Sequence, residues 1–92
     1  MLADAAFVKL DITEELVRRR HWAEAIVIAG DLVTFFERAG VASASMAALH
    51  YLRSAVEMEH ATTALVRYVR DFVTVDDTSR AFVPPADLDV LN

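Results

Sequence analysis

Apolar residues recur every three or four positions along most of this chain, and that spacing predicts helices. Between residues 3 and 19, Ala5, Val8, Ile12 and Leu16 form one stripe, and Phe7, Leu10 and Val17 form a second. A helix that is apolar on two stripes packs between two neighbours. The run Arg18-Arg19-Arg20-His21 follows, where positive charge complements the carboxyl end of the helix dipole. A second helix is expected over 22–38, with Trp22, Ala25 or Ile26, Ala29, Leu32 or Val33, and Phe36 on its buried face. Gly40 ends it, as the residue most free to turn left-handed. Gly30 lies inside it at a cost of about 1 kcal/mol relative to alanine, and is expected where a neighbouring helix comes close.

The third helix is expected over 43–58, capped by Ser43 or Ser45. Leu49, Leu52 and Val56 form its main stripe, and Ala44, Ala48, Tyr51 and Ala55 a smaller one. Leu65, Val69 and Phe72, with Val66 and Val73 beside them, define a fourth helix over 62–75, which Thr62 or Thr63 would cap. A break is expected between the third and fourth helices, although no residue from Met58 to Ala64 forbids one long bent helix. Beyond Val75 the periodicity stops. Asp76-Asp77-Thr78-Ser79 has the chemistry of a turn and Pro84-Pro85 imposes an extended path, so 76–92 reads as an irregular tail. Its Phe82, Val83, Leu88, Val90 and Leu91 could still lie against the helices.

Composition sharpens this picture. The apolar fraction is 55% in 92 residues, above the ~45–50% usual for soluble domains. So much apolar side chain in one short chain calls either for helices covered on several sides or for a partner surface. Charged residues interrupt every apolar run before it could span a membrane, Glu24 and Asp31 bracketing the longest. With Asp4 so early and no basic run ahead of it, the amino terminus does not read as a secretion signal, and a cytoplasmic location is expected. The absence of cysteine excludes disulfides and thiolate metal sites. A net charge of −5 argues against general nucleic-acid binding, which needs an excess of Lys and Arg.

Short connections make neighbouring helices antiparallel, so the fold class is all-α: about four helices forming two antiparallel αα-hairpins, with an extended carboxyl-terminal tail. In the second helix Trp22, Ala25, Ala29 and Leu32, and in the first Ile12, Thr13 and Leu16, match moderately well the spacing of aromatic, small and bulky residues of a helical-hairpin repeat. Met46, Ala47 and His50 repeat the first-helix pattern. The segments AEAIVIAGDLVTFFERAGV, AALHYLRSAV and ATTALVRYVRDFV, which cover most of 22–73, resemble the carboxyl-terminal capping region of bacterial tetratricopeptide-repeat proteins. Arg20 stands where that repeat places a glycine between its helices, and Leu32 where it prefers alanine. The resemblance implies a TPR-like solenoid end over 1–75, a last repeat followed by a divergent capping pair. It implies a protein or peptide partner held on the first helix of each pair, at Phe7, Leu10, Glu14 and Val17 and then at Ala48 and Tyr51.

Residues able to do chemistry are few. Glu57-x-x-His60 has the spacing that places a carboxylate and an imidazole on one helix face, as ferritin-like metal bundles do, with Glu24, Asp31 or Glu37 as further acids. A second histidine partner would have to come from another chain. No glycine-rich phosphate loop and no nucleophile–histidine–acid pattern stands out. His21 reads as a helix end and His50 as partly buried. Arg67, Arg70 and Asp71 read as exposed-face charges. Most aromatics belong to the core, but Phe7 and one of Phe35 and Phe36 have no room there. The expected activity is therefore non-catalytic, without cofactor: a protein–protein interaction module that binds a peptide or subunit, upstream repeats or a second copy of itself. The alternative is a small ferritin-like assembly holding metal through Glu57 and His60.

Overall fold

The computed structural model of the chain describes residues 2–75 and 79–85, with side chains from residue 5 onward. Four helices and no strand occur among the described residues: α1 Leu2–Arg18, α2 Trp22–Ala39, α3 Ser43–Glu57 and α4 Thr63–Val75. The all-α class stands, and the chain does break between its third and fourth helices. The expectations for Leu88, Val90 and Leu91, and for Asp76, Asp77 and Thr78, fall outside the described residues.

The connections 19–21, 40–42 and 58–62 are too short for anything but antiparallel neighbours. Each helix packs on the next, and α4 returns to α1; the diagonal pairs barely touch. Glu14 pairs with Arg67 and Asp11 with Arg70, so a three-residue step along α1 matches a three-residue step in the reverse sense along α4. The result is a closed up-down-up-down ring of four helices. A stack of helical pairs would instead set the first helix of one pair beside the first helix of the next. Here α1 lies beside α4.

That closure decides which face of α1 is buried. Ala6, Leu10, Thr13 and Val17 point into the core, with Phe7 and Leu16 half-buried at its edges. The expected stripe Ala5, Val8 and Ile12 lies outside instead, Val8 being 57% and Ile12 42% exposed. A single sector of α1 serves both neighbours, so the Ala5, Val8 and Ile12 stripe has nothing to pack on within the described residues. The other helices contribute the faces their periodicity announces: Ala25, Ala29, Leu32, Val33 and Phe36 from α2, Leu49, Leu52 and Val56 from α3. From α4 come Leu65, Val66, Val69, Phe72 and Val73. The Phe35 and Phe36 rings meet nearly at right angles, and Phe35 is only half-buried. Thr13 donates its hydroxyl to the Lys9 carbonyl at 2.8 Å, which lets a polar side chain sit fully inside.

The first three helices end alike. The Arg20 and His21 amides donate to the Val17 and Leu16 carbonyls, Gly40 and Val41 to Glu37 and Phe36, and Glu59 and His60 to Val56 and Ala55. Each is the paired closure that requires one left-handed residue. Gly40 takes it at φ 73°, but Arg20 (φ 59°) and Glu59 (φ 57°) take it with side chains that disfavour it. At the starts, the Leu65 amide donates to Thr62 Oγ1 at 3.1 Å, so Thr62 caps α4. Neither expected serine caps α3: Ala42 holds the cap position without a side-chain bond, Ser43 is already helical and Ser45 is buried. Nor does a helix approach Gly30, where an added methyl group would meet nothing within 4 Å.

Chemical denaturation checks three consequences. Gly30→Ala is expected to stabilise the fold by about 1 kcal/mol, because helix propensity improves in open space. Arg20→Gly and Glu59→Gly should each stabilise it by about 0.5–1 kcal/mol through release of left-handed strain. Leu49→Ala, which empties a fully buried position, should cost about 2–5 kcal/mol.

Candidate functional site

The six residues expected to line a partner groove do not form one. Leu10, Val17 and Ala48 lie in the core, where packing of α1 and α3 against their neighbours has consumed them. The remaining three are engaged within the chain. Phe7 lies under the Arg70 guanidinium, 5.5 Å from the ring centroid, and the Glu14 carboxylate accepts a bond from Arg67 at 2.9 Å. Tyr51 packs on Phe82 with ring centroids 5.5 Å apart. Because α1 and α3 are diagonal, Phe7 and Tyr51 cannot share one concave face. Arg67 and Arg70, expected as idle surface charges, are the α4 side of the seam that fastens α1. Such exposed pairs supply alignment more than stability.

Glu57 and His60 likewise do not meet as expected. The helix ends at Glu57, and Glu59 turns left-handed, so the i, i+3 spacing no longer places the two side chains on one helix face. Glu57 lies 3.8 Å from Arg53, and both Glu57 and His60 are exposed. Among the described residues no group of three His, Cys, Asp or Glu side chains converges as a metal site would require. His50, expected to be partly buried, is exposed, and His21 Nδ1 stands 3.9 Å from Glu24.

Two features that periodicity did not announce now stand out. One is a cleft of about 800 Å³ at the end of the ring where connections 19–21 and 58–62 meet. Its floor is apolar, from Val17, Trp22, Ala55, Ala61 and Leu65. Its rim carries Arg18, Arg20, Glu59 and His60, so both strained left-handed residues border the same opening.

The other is an aromatic clasp. Phe82 sits between α3 and α4, with ring centroids 5.3 Å from Phe72 and 6.1 Å from Tyr68 as well as against Tyr51. Arg80 covers the Phe72 ring at 4.3 Å, and the Tyr68 hydroxyl donates to the Val83 carbonyl at 3.1 Å. The tail thus runs back along α4, toward its amino end. Of the two described tail residues expected to lie against the helices, Phe82 does so, whereas the Val83 side chain stays exposed.

Compared with models of known families, with characterised proteins and with solved structures, the chain matches none. No helix among the described residues is long and apolar enough to cross a membrane.

The geometry yields two expectations. Phe82→Ala should cost about 2 kcal/mol, below the ~3–5 of a fully buried phenylalanine because Phe82 is half-buried; thermal unfolding reads this directly. Hydrogen bonds from Arg18 and Arg19 hold the Glu15 carboxyl below its ordinary value. A carboxyl depressed in the folded state contributes stability above its unfolded value and loses it as pH falls through the folded one. Replacing both arginines with alanine should raise the Glu15 value in a carboxyl-resolved NMR titration and weaken that acid dependence.

Proposed function

We propose that this chain is a non-catalytic protein–protein interaction module that self-associates through the outer face of α1. The observation that carries the reading is the exposed aliphatic stripe Ala5, Val8 and Ile12, on a helix whose other face already fills the core. Large aliphatic side chains in successive turns of one helix are costly to leave in water and are suited to a helical partner. Val27 on α2 is exposed to a similar degree, at 62%. The resemblance to repeat-protein ends supports the same class of partner, since a helix packed on the outer face of α1 would continue a helical array. The closed ring favours a compact bundle as the unit that associates, in place of an open groove for an extended peptide.

Light scattering coupled to size exclusion tests this. The chain is expected to run as a dimer or larger species at tens of micromolar, and Ile12→Glu should convert it to a monomer with unchanged helix content. A wild-type monomer at every concentration overturns self-association.

A further inference from the structure

The cleft and the clasp are continuous. Tyr51 contributes to both: its ring contacts Phe82 and also lines the cleft. Arg80 lies over Phe72, Phe82 reaches Phe72, Tyr68 and Tyr51, and Val83 meets Tyr68. The tail therefore advances antiparallel to α4, toward Leu65, Thr63 and the cleft they line. Pro84 and Pro85 hold it extended at that point. From Tyr68 to Thr63 the helix rises only about 7–8 Å, whereas seven further residues of extended chain reach up to ~23 Å.

Those seven residues are Ala86-Asp87-Leu88-Asp89-Val90-Leu91-Asn92. In an extended path Leu88 and Val90 fall on one side and Asp87 and Asp89 on the other. The cleft offers the complement, with Trp22, Val17 and Ala61 on its floor and Arg18 and Arg20 on its rim. Arg18 is already bonded to Glu15, while Arg20 has no ion pair among the described residues. Glu59 is the one acid on that rim. We propose that segment 86–92 docks in the cleft of its own chain, Leu88 and Val90 against the floor around Trp22 and Asp89 toward Arg20.

Trp22 is the only tryptophan and lines the cleft, so its fluorescence reports occupancy. In the full chain, Leu88→Ser with Val90→Ser should shift Trp22 emission to the red and raise acrylamide quenching, with far-UV circular dichroism unchanged. Arg20→Glu should move emission and quenching in the same direction, and Arg20→Glu combined with Asp89→Arg should bring them back. Identical emission and quenching in the wild type and the double serine variant overturn the proposal. So does a failure of the charge swap to restore protection. Protection that fades on dilution overturns it too, because the segment would then come from a second copy.

Discussion

A hairpin of two helices leaves one flank of each helix in water, and in this chain α1 and α4 cover each other's. The ring closes where Asp11 and Glu14 on α1 meet Arg70 and Arg67 on α4, and Phe7 tucks under Arg70. Those exposed charges contribute little free energy on their own. Their role is register: they hold α1 at the rotation that sends Leu10, Thr13 and Val17 inward. Behind them lies the apolar contribution, Val66, Val69 and Val73 of α4 sharing one core with Leu32, Leu49, Leu52 and Val56. A domain of this size has little apolar area to spare, so a ring opened at this seam would lose cooperativity as well as contacts.

The same closure distributes what is left over for function. Once α1 has turned one face to both neighbours, Val8 and Ile12 have no place inside and become surface. At one end the connections are short, and the left-handed positions that finish α1 and α3 fall to Arg20 and Glu59. Strain of this kind persists only where surrounding structure over-determines it. Here both residues border the apolar cleft that holds Trp22. Along the outside of α3 and α4, Phe82 binds the tail to the ring and gives it a direction. Exposed or half-buried apolar side chains thus line the outer face of α1 and the cleft, and among the described residues His21, His50 and His60 stand exposed without converging.

Much of the architecture was legible in the order of residues because helix formation is local. Spacing of Leu49, Leu52 and Val56, or of Leu65, Val69 and Phe72, announces a helix and its buried face together. Gly40 and Thr62 mark ends through conformational freedom and side-chain capping, which depend on near neighbours alone. Where two stripes competed, as on α1, periodicity could not choose between them, since both satisfy 3.6 residues per turn. Arg20 and Glu59 were not legible as left-handed, because nothing local favours them there.

What the sequence by itself determined is a set of four amphipathic helices joined by short connections, and hence an antiparallel all-α chain with a proline-held tail. Tertiary structure alone decided that the ring closes through α1 and α4. It thereby placed Leu10, Val17 and Ala48 in the core, engaged Glu14 in the closing seam, and exposed Val8 and Ile12. It also ended α3 at Glu57, which parts Glu57 from His60. The physical reason is range. Helical propensity and capping act over three or four residues, whereas the choice of neighbour depends on how all the apolar faces can be covered at once.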